Sequence, residues 1–141
     1  MNEGFDEWNN QKKSLSAATH FPRPKRRQVW WCAIGLNVGS EQSCEEGFER
    51  PVLVVKVFGS IFWGLPITSS DPEGRKKANP LYYEIEGKSY TTDAGEVKKL
   101  EGYIALHQLR VFDARRLKRK ILRLEIPLFT DIMRELRAHL V

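Results

Sequence analysis

At 141 residues the chain fits one domain, which would hide about two-thirds of its unfolded surface in a single core. Its 41% hydrophobic and 29% charged residues are an ordinary globular balance, and no apolar run nears the roughly 18 residues of a membrane span. The net charge of +5 is unevenly spread: Lys25 to Arg27 form one basic knot, Arg115, Arg116, Lys118, Arg119, Lys120 and Arg123 a second, with Glu41, Glu45, Glu46 and Glu49 between them.

Clustered cations favour polyanionic partners, because binding releases counterions. A solvated surface accounts for the same charges equally well. Met1 to Lys13 is polar and acidic, without the basic start and apolar stretch of a signal peptide, so a cytoplasmic protein with no membrane attachment is expected. Cys32 and Cys44 make no metal-binding spacing and read as free thiols of a reducing compartment. His20, His107 and His139 are scattered, and no His, Cys and carboxylate cluster suggests a metal site.

Residues 1–27 read as a disordered or extended tail, rich in Asn, Gln, Ser and Lys, and then held extended by Pro22 and Pro24. The ordered domain is expected over residues 28–141. Val29 to Ile34 is β-branched and aromatic, a strand closed by Gly35 to Gly39. Pro51 to Phe58 is almost continuously apolar and reads as a central strand. Gly59-Ser60 then leads tightly into Ile61 to Thr68, where Pro66 suits an edge or a bulge. Asp71 to Gly74 is a turn. Tyr82 to Glu86 and Ser89 to Thr92 read as a hairpin about Gly87-Lys88. Strands are also expected at Tyr103 to Leu106 and Ile121 to Leu124. Only the end has helical period: Pro127 fits a first turn, and Phe129, Ile132, Met133, Leu136 and Leu140 make an apolar stripe. Many short strands before one helix predict a small, strongly bent sheet or partly closed barrel. No Walker loop or dinucleotide fingerprint points to a nucleotide enzyme.

Three segments, in this order, resemble the PemK/MazF toxin family. The first is Gly39-Ser40-Glu41-Gln42, a loop, then Arg50-Pro51-Val52-Leu53-Val54-Val55. The second is Trp63-Gly64-Leu65-Pro66-Ile67-Thr68-Ser69. The third runs from Leu106 to Leu117 and is followed by an Ile-x-x-Leu strand and a helix. The resemblance implies an SH3-like barrel, mainly β with a C-terminal α-helix. It also implies a homodimer that cuts single-stranded RNA at short sequences without metal or other cofactor, and a cognate antitoxin whose tail covers the RNA site. It makes Arg50 and Thr68 catalytic and lines the same site with Glu41 and Gln42. Ser69, Gln108 and Arg110 fall in the matched segments and are expected to touch RNA. The stretch from Ser43 to Glu49 is longer than in compact members and acidic.

The residue types suit the chemistry. RNA cleavage without metal needs a base for the 2′-hydroxyl, an acid for the leaving 5′-oxygen and donors for the phosphoryl oxygens. The planar fork of Arg50 matches two phosphate oxygens, and Pro51 fixes its backbone. Read alone, Arg50 could instead be a surface residue paired with Glu49 or Glu46. Thr68 offers a strand-end hydroxyl and, read alone, is a β-former or a cap. Glu41 is either the base or the group that orients Arg50. His107 reads as a structural or surface residue in a strand. Trp30, Trp31, Trp63 and Tyr90 could stack on bases, although strand alternation sends Trp30 and Trp31 to opposite faces. Arg115 and Arg116 could clamp the RNA backbone. Two other readings share the fold: a CcdB-like gyrase-poisoning toxin, and a non-catalytic nucleic-acid-binding module.

Overall fold

The apolar run Val52 to Val55 is buried throughout and lies in the middle of an antiparallel sheet. The computed structural model describes residues 22–34, 49–69, 74–92 and 94–140. Its strands are β1 (Gln28–Ala33), β2 (Glu49–Phe58), β3 (Ile61–Thr68), β4 (Tyr82–Thr91), β5 (Val97–Ala105), β6 (Arg110–Asp113) and β7 (Leu117–Arg123). Helix α1 (Arg75–Ala78) precedes β4, and α2 (Ile126–Ala138) ends the described chain. The sheet order is β4-β5-β3-β2-β1-β7, with β6 joined to β3. The outer strands β4 and β7 approach each other, so the sheet curls into a half-barrel.

Curling divides the apolar side chains into two cores. Val29, Leu53, Leu65, Ile85 and Ile104 meet Phe129, Ile132, Met133 and Leu136 of α2 in the larger one. Cys32, Val52, Val54, Phe62 and Phe112 form the smaller, where the Phe62 and Phe112 rings stack at 5.4 Å. Trp31 packs against the first core and Trp30 against the second, as strand alternation requires. Each fully buried large aliphatic contributes about 1.5–3 kcal/mol, so the shared core accounts for the seating of α2. Tyr83 adds a polar tie, its hydroxyl donating to Asp131 Oδ2 of α2 at 2.5 Å. Burial, reinforced by that carboxylate, pushes the Tyr83 hydroxyl up to about 12.

Several sequence expectations change here. The Gly87-Lys88 turn is absent: β4 runs through it, with a register shift between Ile85 and Lys88 against β5. The chain reverses instead at residues 92–96, where Gly95 adopts φ 84° and its N–H donates to the Thr92 carbonyl. β5 therefore begins at Val97, before the Tyr103 start expected. Pro66 is buried inside the sheet rather than at an edge. On the side away from β2, β3 pairs with β6 as far as Gly64 and with β5 from Ile67. Pro66 falls in the gap between those ladders, where its missing N–H costs little. His107 lies in a 3-10 turn (Leu106–Gln108), not a strand, with Tyr82 edge-on to its ring at 5.1 Å. The stripe of α2 is core except Leu140, which is exposed.

The lead-in from Pro22 to Arg27 is bonded to the barrel. Pro24 is buried, the Arg27 N–H donates to the Val54 carbonyl, and Arg27 Nε donates to the Leu124 carbonyl. Gln28 is buried with its side-chain oxygen accepting from Lys25 N and Trp30 Nε1. Of the turn expected at Asp71 to Gly74 and the acidic stretch from Ser43 to Glu49, all but Gly74 and Glu49 lie outside the described residues.

Candidate active site

β2 and β3 pair antiparallel with Val52 opposite Pro66. Arg50, near the start of β2, and Thr68, the last residue of β3, each lie two residues beyond that pair, where the two strands no longer pair with each other. Both residues line a cavity of about 380 Å³, together with Ser69. Trp31 of β1 and Tyr90 of β4 form an aromatic wall, and Glu49, Lys99 and Glu101 bring charge from β2 and β5. The sequence-expected trio of Arg50, Thr68 and Ser69 is thus brought together.

The end of β3 is held by β5, with Ile67 opposite Ile104 and Thr68 opposite Tyr103. Gly102 permits this approach: its φ is 143°, and a Cβ there would run into the Thr68 carbonyl oxygen and come 3.1 Å from Ser69 Cα. From α1, Lys76 Nζ donates to Thr68 Oγ1 at 3.3 Å, so an ammonium stands beside the hydroxyl. Arg50 and Lys99 share the cavity lining with Glu49 and Glu101, and Lys76 reaches it through Thr68. Such a site can hold a phosphodiester between cations, offer a hydroxyl to a phosphoryl oxygen, accept a proton on a carboxylate and stack a base.

Not every candidate meets here. Gln108 is exposed on the 3-10 turn with its Nε2 3.4 Å from His107 Nε2. The Arg110 guanidinium lies 4.7 Å from the Phe112 ring centroid. Neither lines this cavity. Glu41 and Gln42 lie outside the described residues. Arg115 binds Asp113 through Nε and Nη2 at 2.9 and 2.6 Å, which, with the Arg115 backbone N–H, holds the Asp113 carboxyl below its usual range. Arg116 donates to the Ile34 carbonyl at 3.2 Å. Both arginines therefore brace the chain. Cys32 is fully buried, and burial raises its thiol to about 11. Among the described residues, no group of three His, Cys, Asp or Glu side chains could hold a metal ion, and no helix is long and apolar enough to cross a membrane.

Sequence reasoning missed Lys76, Lys99 and Glu101. Placing the turn at Gly87-Lys88 and the next strand at Tyr103 kept the latter two out of view.

The fold and this cleft define a small, curled β-sheet protein with a cavity of mixed charge at the end of its central strands. The chain belongs to the PemK-like, MazF-like toxin family of type II toxin–antitoxin systems, whose model matches residues 25–140. Among solved structures it is similar to MazF from Deinococcus radiodurans, with TM-score 0.56 and 17% identity over 82% of this chain and 94% of that one. An endoribonuclease from a mycobacterial species, solved in complex with its cognate antitoxin, gives TM-score 0.55 and 15% identity over 84% and 95%. The MazE–MazF complex from D. radiodurans gives 0.53 and 18% over 83% and 91%. At these identities the likeness shows the fold. No curated protein matches the chain closely in sequence.

Proposed function

We propose that this chain is a cytoplasmic endoribonuclease that cuts single-stranded mRNA at short sequences, with neither metal nor cofactor. The observation that carries the reading is the convergence of Arg50 and Thr68 on one cavity, in a chain of the PemK/MazF family. The 2′-hydroxyl attacks the adjacent phosphorus, and the 5′-oxygen of the next nucleotide leaves. A 2′,3′-cyclic phosphate and a 5′-hydroxyl result. Arg50 holds two phosphoryl oxygens as their charge grows, and the Thr68 hydroxyl, with Lys76 beside it, steadies the same group. Glu41 either takes the 2′ proton or orients Arg50; Glu101 and Glu49 bring further carboxylates to the cavity. Ser69 adds a hydroxyl for RNA at its rim, Gln42 serves the same site, and Gln108 and Arg110 are more distant RNA contacts.

Purified protein incubated with a long single-stranded RNA in EDTA is expected to yield fragments with 5′-hydroxyl and cyclic-phosphate ends at a few short sequences. Intact RNA under these conditions would leave a poison of another target or a non-catalytic binding module.

The same reading includes a cognate antitoxin and a homodimer. The apolar stripe of α2 is committed to the core from Phe129 to Leu136, so the dimer contact lies elsewhere. Phe58, Ile61, Trp63 and Val111 are exposed neighbours: Phe58 pairs with Ile61 and Trp63 with Val111, and the Phe58 and Trp63 rings lie 5.0 Å apart. A contiguous apolar patch of this kind suits an isologous contact with a second copy. Light scattering at micromolar concentration is expected to give twice the chain mass, and Trp63→Glu half of that. A monomeric parent would remove the dimer.

A further inference from the structure

The cavity around Arg50 does not end at its aromatic wall. Trp31 and Tyr90 also line a second, shallower depression of about 40 Å³, bounded by Thr91, Thr92, Arg119 and Lys120. It lies on the seam where β4 meets β7. The β1–β7 register sets Arg119 directly opposite Trp31 and Lys120 opposite Trp30. The Arg119 guanidinium lies 6.0 Å from the Trp31 ring centroid, at the outer limit for a cation–π contact. Trp31 is half-buried, with its inner side against the larger core. Its ring is therefore rigidly set and still reachable from the seam.

We propose that this seam is a second RNA subsite, in which the base of a nucleotide near the scissile phosphate stacks on Trp31 while Arg119 and Lys120 hold its phosphate. The inference rests on the endoribonuclease reading and adds where the strand runs beyond the cut. A depression this shallow suits a base lying on a ring rather than a base inserted in a hole. Stacking of this kind tolerates any base, since each has a π-face. Arg119 can turn to a phosphate, because its partner Glu49 Oε1 lies 3.4 Å away and the Arg119 side chain is 57% exposed. An ion pair that open to water contributes little and yields readily to a phosphate. Lys118, Lys120 and Arg123 continue the positive charge along β7, so the strand has cations to follow past the ledge.

The test uses the full-length protein and an RNA oligonucleotide carrying the mapped cut site, with a 2′-deoxy nucleotide at the attacking position so that it binds uncut. An abasic nucleotide is walked along the strand and affinity is read by anisotropy. At one position within about three nucleotides of the cut, the missing base is expected to weaken binding by about 5- to 100-fold. In Trp31→Leu, which keeps an apolar contact with the core, that same replacement is expected to change affinity by less than about twofold. Trp31→Phe should retain most of the sensitivity. Arg119→Gln, a surface change with little bearing on folding, should reduce the slope of log K against log salt by about one phosphate contact. A parent that cuts RNA but has no abasic position coupled to Trp31 overturns the subsite alone. A parent that cuts no RNA overturns the subsite together with the reading beneath it.

Discussion

Arg50→Lys is expected to fold as the parent does and to bind RNA nearly as well, while cutting it about 10²- to 10³-fold more slowly. Lysine keeps the positive charge, so the attraction that brings the phosphate backbone into the cavity survives. It loses the planar fork that engages two phosphoryl oxygens at once. That fork matters most when charge builds on those oxygens, so the loss falls on the chemical step rather than on binding. Arg50→Ala should be at least as slow and should abolish toxicity on expression in cells. Folding should survive both changes, because Arg50 is only half-buried near a strand start and the core begins at Val52. The measurement is single-turnover cleavage of an RNA oligonucleotide in EDTA, with circular dichroism reporting on the fold. An Arg50→Lys protein that cuts within about threefold of the parent would return Arg50 to the status of a surface charge.

The Arg50–Thr68 pair was legible through the family resemblance; read alone, Arg50 is a surface charge and Thr68 a β-former or a cap. Val52 to Val55 could hardly be anything but buried β, and the return through Gly59-Ser60 lays β3 antiparallel beside it, although the register shift between Val54 and Lys56 has no signal in the sequence. What β5 contributes was hidden for an equally physical reason. Val97-Lys98-Lys99-Leu100 carries too little apolar surface to announce itself and is a strand because β4 holds it. Gly87-Lys88 has turn chemistry, yet a bulge absorbs the same backbone freedom without reversing the chain. Misplacing that reversal moved Lys99 and Glu101 out of view. The α2 stripe shows a different limit: periodicity says that Phe129, Ile132, Met133 and Leu136 face something apolar, and cannot say whether that is the chain's own barrel or a second copy. Glu49 shows a third. Read beside Arg50 in sequence it is a partner for that arginine, whereas across the sheet it is the partner of Arg119.

Gly102→Ala is expected to damage the site without touching any group placed in the chemistry. At φ 143° Gly102 occupies a region that side chains rarely adopt, and a methyl there would meet the Thr68 carbonyl oxygen and Ser69 Cα. These are backbone atoms and cannot rotate aside as a long side chain would. Either β5 moves away from the end of β3, or β3 carries Thr68 and Ser69 out of the cavity. Strain and overpacking together should destabilise the protein by roughly 2–4 kcal/mol. The population that remains folded should still cut poorly, since a displacement of about 1 Å at a reacting centre can cost about 10²-fold. Gly95→Ala is the matched control: Gly95 also has positive φ, at 84°, but open space lies where its Cβ would be, and it belongs to the β4–β5 turn. That variant should lose stability through backbone strain and keep the parent's rate per folded molecule. Denaturant unfolding gives the stability of each variant, and single-turnover cleavage corrected for the folded fraction gives the rate. If Gly102→Ala cut RNA at the parent's rate per folded molecule, the fit of β5 against Thr68 would be a matter of stability alone. The hydroxyl of Thr68 would then have no need of the position in which Gly102 holds it.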